Sequence, residues 1–114
     1  MSDLQRFKEA QRRDFDTALA EIKNGRKQSH WMWYIFPQIH GLGFSSMSAY
    51  YAIKDLKEAE DFLNDPYLGG NLRKISEALL ELDTDDPHRV FGSPDDLKLL
   101  SCMTLFEAAD GKGG

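Results

Sequence analysis

The chain has 114 residues, of which 41% are hydrophobic and 29% are charged, so it has the length and composition of one folded domain. Its net charge of -5 argues against general nucleic-acid binding, which needs an excess of Lys and Arg on one face. The longest apolar run, Trp31 to Phe36, is too short to cross a bilayer, so no membrane partner is expected. With Cys102 as the only cysteine, no internal disulfide can form, and we expect a cytoplasmic protein.

Two helices are predicted before residue 25. Ser2 and Gln5 form a capping box, so the first helix is predicted to begin at Asp3. The run Arg12-Arg13-Asp14 interrupts its apolar stripe, and the aspartate can cap a second helix. Asn24-Gly25 predicts the end of that helix, because glycine readily adopts the left-handed conformation there.

The segment from Lys27 to Ser45 combines aromatic bulk with polar side chains. Ser29 is predicted to cap a short helix from His30 to Phe36, which Pro37 would end. A strand is the alternative, since Trp, Tyr, Ile and Phe favour strands, but no neighbouring pattern offers a partner strand. The run Gly41-Leu-Gly43 predicts a turn.

Further helices are predicted in the second half of the chain. Their predicted starts are Ser45 or Ser46, the Asp55–Glu58 capping box, Pro66 with a local restart at Asn71, a single turn at Pro87–Phe91, and Ser93-Pro94. Strand patterns are almost absent. The predicted fold class is therefore all-α, with roughly six short helices around one core in a single domain over 1–110. Residues 111–114 form a Gly-rich segment predicted to be a flexible tail.

Several polar residues could bind a ligand or act in catalysis. His30 could be a general acid or base, because histidine titrates near neutral pH; the alternative is a packed ring bonded to a backbone carbonyl. Lys27 could attract an anion, and the backbone N–H groups of Gly41 and Gly43 could approach it; the alternative is a plain turn between helices. No metal-ligand spacing occurs, so neither a metal nor a cofactor is expected.

Aromatic and polar residues of the two segments offer further contacts. Trp31 or Trp33 could stack on a ring, although core packing is the default for both. On the last helix, Lys98 can pair with Asp95. The hydroxyls of Ser101 and Thr104 share a side of that helix, where they would bond either helix carbonyls or a ligand.

Over essentially the whole chain the sequence resembles one family, most closely in two motifs. They are Gly25-x-Lys27-x-x-His30-Trp-Met-Trp-Tyr-Ile-Phe-Pro-Gln38 followed by Gly41-Leu-Gly43-x-Ser45, and Phe91-Gly-Ser-x-Asp-Asp-x-Lys98-Leu-x-Ser101-x-Met-Thr-Leu-Phe106. The family is the uncharacterised, mainly bacterial one catalogued as domain of unknown function 1810. The resemblance implies a helical fold and no established activity. Some members are named calpastatin, but this chain has no inhibitor-like repeat.

The resemblance also singles out polar and aromatic residues that belong to the family motifs. They are His30, Trp31, Trp33, Gln38, Lys98, Ser101 and Thr104.

Two hypotheses about function follow. In the first, a pocket between residues 27–45 and 93–106 binds, and could hydrolyse, an anionic nucleotide-like molecule. Lys27 and Lys98 would then neutralise a phosphate, and His30 would act as acid or base with Asp96 orienting it. In the second, the aromatic residues form a protein-interaction surface, such as that of a homo-oligomer, without catalysis. Nucleic-acid binding is disfavoured by the net acidity.

Overall fold

The structure is a computed structural model that describes residues 4–41, 45–83, 86–93 and 95–113, with 111–113 described by their backbone alone. Within these ranges the chain forms seven helices and no strand. They are α1 (Gln5–Lys23), α2 (Met32–Ile35), α3 (Ser46–Tyr50), α4 (Leu56–Asn64), α5 (Pro66–Leu80), α6 (Pro87–Phe91) and α7 (Asp95–Gly113). The all-α fold class predicted from the sequence is therefore confirmed.

Helix α1 is continuous, and the prediction of two helices separated near residue 14 is wrong. The run Arg12-Arg13-Asp14 does not break the buried face of the helix, which Phe15 continues. Gln11 belongs to the same face and is only 1% exposed. Its Nε2 donates to the carbonyl of Tyr34 at 2.9 Å, and its Oε1 accepts from Asn71 Nδ2 at 2.9 Å. A buried amide whose partners are supplied costs little, so Gln11 links α1, α2 and α5.

Most of the helix boundaries predicted from local signals agree with the structure. Gly25 has a positive φ of 81° after α1, and Gly92 has a positive φ of 71° after α6. Ser45 caps α3, Asp55 caps α4, and Pro66 lies in the first turn of α5. The predicted roles of Ser2 and Pro94 fall outside the described residues.

Two other predicted boundaries differ. Helix α2 is shorter than predicted, because Ser29 does not cap it but donates its hydroxyl to Glu21 Oε2 at 2.5 Å. Helix α5 runs through Gly69-Gly70 without the restart predicted at Asn71. The backbone of helix α7 continues to Gly113, and the flexible tail expected over 111–114 stays a prediction.

The core is built from aromatic side chains contributed by most of the helices. Phe7 of α1 meets Phe62 of α4 edge to face, with ring centroids 5.3 Å apart. Phe36 and Phe91 pack in the same way at 5.8 Å, and Trp31 lies against both rings. Burying each such side chain contributes about 1.5–3 kcal/mol. This core fixes the segment after α2 against α6, the helix that precedes α7.

Candidate functional site

A cavity of about 740 Å³ opens between α2, α3 and the first turns of α7. It lies between residues 27–45 and 93–106, the two segments between which a pocket was predicted from the sequence. Its lining is apolar and aromatic, with a few polar groups. The lining residues are Met32, Trp33, Phe36, Gln38, Ile39, His40, Gly41, Ser45, Ser48, Ala49, Tyr51, Ala52, Leu97, Lys98 and Ser101. We refer to this cavity as the pocket.

Five of the site residues predicted from the sequence line the pocket: Trp33, Gln38, Gly41, Lys98 and Ser101. Gly41 has a positive φ of 90°, which is the conformation that favours glycine. Gly43 lies outside the described residues. The two motifs are thus brought together at one cavity, with aromatic and amide groups from the first and a lysine and a hydroxyl from the second.

Lys98 lies against the aromatic wall of the pocket. Its Nζ is 5.2 Å from the centroid of the Trp33 ring and 3.2 Å from Oδ1 of Asp95. An ammonium at this distance from an indole ring is attracted by the negative ring face. Among the lining residues, Lys98 is the one that carries a full charge at neutral pH. The described lining of the pocket therefore presents one lysine ammonium beside a planar ring.

The wall that carries Gln38 and His40 is held by a short bridge to residue 53. His40 donates its backbone N–H to the carbonyl of Ile53 at 2.8 Å, and Ile53 donates to the carbonyl of Gln38 at 2.8 Å. Ile53 is fully buried. Because both hydrogen bonds involve the backbone, the positions of Gln38 and His40 do not depend on their own side-chain contacts.

The end of α3 and the residue before Ile53 are held by Arg6, which was not among the site residues predicted from the sequence. Its guanidinium donates to the carbonyl of Tyr50 at 2.8 Å and to that of Ala52 at 2.9 Å. It also forms an ion pair with Glu58 at 3.1 Å, and Glu58 is only 2% exposed. A planar guanidinium suits such multiple contacts. No local pattern marks Arg6, because its partners lie more than forty residues away along the chain.

Lys27, predicted to bind a ligand, does not line the pocket. Its Nζ lies 2.8 Å from Oδ2 of Asp95, donates to the carbonyl of Ser29 at 2.6 Å, and sits 5.0 Å from the centroid of the Trp31 ring. Burial opposes ionisation of Asp95, but hydrogen bonds and charge from Lys27, and then from Lys98, outweigh it. The pKa of Asp95 is therefore below its ordinary value.

Trp31 belongs to the core and not to the pocket wall. It is 1% exposed, and its indole N–H donates to Oε1 of Glu21 at 2.9 Å. Glu21 also accepts from the backbone N–H groups of Gln28 and Ser29, at 2.7 and 2.9 Å. This carboxylate organises the segment that leads into α2, and the sequence analysis missed it. Two of its four partners are backbone N–H groups, which leave no signature in a sequence.

The remaining predicted residues point elsewhere. The His30 side chain is exposed and does not line the pocket. Asp96, which was expected to orient His30, has its Oδ2 3.3 Å from Nδ1 of His88. Thr104 is exposed and donates its hydroxyl to the carbonyl of Leu100 at 2.9 Å, one turn earlier in α7. This was the alternative that the sequence analysis left open for that hydroxyl.

In the described ranges, no three His, Cys, Asp or Glu side chains come together as a metal site would require. No helix of the described chain is both long and apolar enough to cross a membrane.

The fold and the site define a small all-α protein with one lysine in a mainly apolar pocket. The chain belongs to the family described as "Protein of unknown function (DUF1810)", whose model matches residues 1–113. It is also similar to a solved structure, that of the conserved hypothetical protein Rv1873 from Mycobacterium tuberculosis. That likeness has a TM-score of 0.92 and 40% sequence identity, and it covers 97% of this chain and 80% of the other. No curated protein matches the chain.

Proposed function

We propose that this chain binds a small molecule that carries a planar ring and one anionic group, as a mononucleotide does, in the pocket. The observation that carries the proposal is the placement of Lys98 beside the Trp33 ring, 5.2 Å from its centroid, in a pocket whose other described lining residues carry no fixed charge. A pocket of about 740 Å³ falls in the range of small-molecule sites, roughly 300–1,000 Å³.

The two halves of such a ligand would meet different walls. A planar ring can stack on Trp33, where the aromatic face offers a large apolar contact. The anionic group can take the ammonium of Lys98, since charge-assisted hydrogen bonds are stronger than neutral ones. Gln38, Ser48 and Ser101 supply the few polar groups that fix orientation in an otherwise apolar site.

The proposal covers binding and not a reaction. His30 and Asp96, which the sequence suggested as an acid–base pair, are not among the lining residues. A group that acts on a bound molecule must reach it within hydrogen-bond distance. Hydrolysis therefore has no support from these two residues.

A titration with AMP, adenosine and inorganic phosphate tests the proposal. AMP is expected to bind more tightly than either half alone, and Lys98→Met is expected to weaken AMP binding about tenfold through loss of the charge-assisted contact. Lys57→Met is the matched control, because Lys57 is also paired with an aspartate on its own helix, 2.9 Å away, but does not line the pocket. Equal effects of the two substitutions, or no binding by the wild-type chain, would overturn the proposal.

A second candidate function is self-association through exposed apolar side chains of α3 and α7. Tyr50 on α3 and Leu97 and Leu100 on α7 are 59%, 61% and 56% exposed. Exposed apolar side chains of this size can form an interface with a second copy. Sedimentation equilibrium should then show a dimer that Leu97→Ser with Leu100→Ser dissociates; a monomer at all concentrations would exclude this function.

A further inference from the structure

Asp95 joins two lysines, each of which lies against a different tryptophan. Oδ2 of Asp95 is 2.8 Å from Nζ of Lys27, and Oδ1 is 3.2 Å from Nζ of Lys98. The first lysine sits 5.0 Å from the Trp31 ring centroid and the second 5.2 Å from that of Trp33. Lys27 therefore lies beside a tryptophan of the core, and Lys98 lies beside a tryptophan of the pocket wall.

We propose that Lys27 and Asp95 are positioning residues for ligand capture by Lys98. Lys27 keeps Asp95 paired, so that Lys98 is released from Asp95 and from the Trp33 face when an anionic ring compound enters. The inference rests on the proposed function and adds to it the residues that govern Lys98 from outside the pocket.

The two ion pairs of Asp95 differ in how firmly they are fixed. The side chain of Lys27 is 8% exposed, that of Asp95 19% and that of Lys98 28%. Lys27 is also held by its backbone N–H, which donates to the carbonyl of Val90 at 2.7 Å, and by its bond to the Ser29 carbonyl. The pair with Lys27 is therefore the fixed one, and Lys98 is the partner free to move.

Without Lys27, departure of Lys98 would leave Asp95 as a partly buried carboxylate with no cation. Such a group is costly, because its charge is desolvated and uncompensated. With Lys27 in place, each carboxylate oxygen has its own lysine, and loss of one pair leaves the other intact. Lys98 can then rotate on its flexible stem toward the ligand at lower cost.

One movement of Lys98 serves both parts of the ligand. It frees the Trp33 face for the ring and delivers the ammonium to the anion. A ring without charge, or an anion without a ring, gains only one of these contacts for the same displacement. The site is therefore expected to select compounds that carry both, and to bind each half alone much more weakly.

The inference is tested with Lys27→Met, Asp95→Asn and the double variant, each titrated with AMP after its fold is checked by circular dichroism. Lys27→Met is expected to weaken AMP binding about threefold or more. Lys98 is then the remaining cation beside Asp95, so its release toward the ligand costs more. The double variant is expected to recover the affinity of Asp95→Asn, because Lys27 acts only through Asp95. A purely structural role for Lys27 predicts no recovery. Lys27→Arg keeps the charge and should stay near wild type, which serves if Lys27→Met fails to fold.

A measurement without ligand separates failure of this inference from failure of the proposed function. Methyl signals of reductively methylated lysines report on each ammonium in the free protein. The Lys98 signal is expected to shift in Lys27→Met and to stay in the control Lys23→Met, an exposed lysine at the end of α1. One outcome is that AMP binds, that Lys98→Met weakens this binding, and that Lys27→Met behaves like Lys23→Met in the titration and in the methyl spectra. In that case the inference is wrong and the proposed function stands. If AMP does not bind, the proposed function fails, and an unshifted Lys98 signal would refute the inference separately.

Discussion

Glu21 shows how one carboxylate can order a segment that has little regular structure. It accepts the Ser29 hydroxyl, the backbone N–H groups of Gln28 and Ser29, and the indole N–H of Trp31. Burial opposes its ionisation, but these hydrogen bonds outweigh burial and lower the pKa of Glu21 to about 2. The carboxylate, and not a helix cap, therefore fixes the path of the chain into α2.

Replacement of Glu21 by Gln is expected to lower stability near neutral pH by about 2 kcal/mol, since bonds to a charged acceptor are lost. A group whose pKa is lowered in the folded state adds stability above its unfolded pKa. That contribution should disappear as the pH falls from about 4.5 toward about 2. Urea unfolding across this pH range measures it.

The control for this prediction is Glu9→Gln, because Glu9 is an exposed residue of the same helix. The difference in unfolding free energy between the two variants should be present at pH 7 and shrink in acid. A difference that does not change with pH would contradict the assigned role of the Glu21 charge.

At the scale of elements, Gly69 and Gly70 are adjacent glycines with opposite roles in α5. A Cβ at Gly69 would lie 2.0 Å from the carbonyl oxygen of Leu63, whereas a Cβ at Gly70 would have nothing within 4 Å. Gly69 thus permits close contact between α5 and the end of α4. Gly70 only lowers the helix propensity of α5.

Substitution of alanine at Gly69 and at Gly70 is therefore expected to change the free energy of unfolding in opposite directions. Gly69→Ala should destabilise the protein by about 2 kcal/mol or more, because a backbone carbonyl must move to relieve the overlap. Gly70→Ala should stabilise it by about 0.5–1 kcal/mol through helix propensity and reduced freedom of the unfolded chain. Thermal unfolding measures both, and effects of the same sign would contradict this account of α5.

Local signals predicted most helix boundaries but not the continuity of the longer helices. Caps such as Asp55 and Ser45 act within a few residues, so the sequence shows them. The break predicted in α1 and the restart predicted in α5 were both wrong because contacts with other helices decide these positions. Gln11 is satisfied by residues of α2 and α5, and Gly69 is required by packing against α4.

For the whole molecule, the pocket is a product of tertiary structure. Trp33, Gln38 and Lys98 could be chosen from the sequence because polar and aromatic residues recur in the two motifs. Which residues of the two motifs face the pocket could not be predicted. Trp31 and Trp33, for example, have similar chemistry, and only the packing around α2 places one in the core and the other at the pocket. The same holds for Lys27 and Lys98, which end on opposite oxygens of Asp95.

The most direct test of the account follows the two indole N–H signals during titration with AMP by nuclear magnetic resonance, with the signals assigned through Trp33→Phe. Trp33 lines the pocket, whereas Trp31 is bonded to Glu21 in the core and serves as an internal control. The account predicts that the Trp33 signal shifts and saturates while the Trp31 signal stays in place, and that Lys98→Met weakens this shift. A Trp33 signal unmoved by AMP, or equal shifts of both indoles, would contradict it.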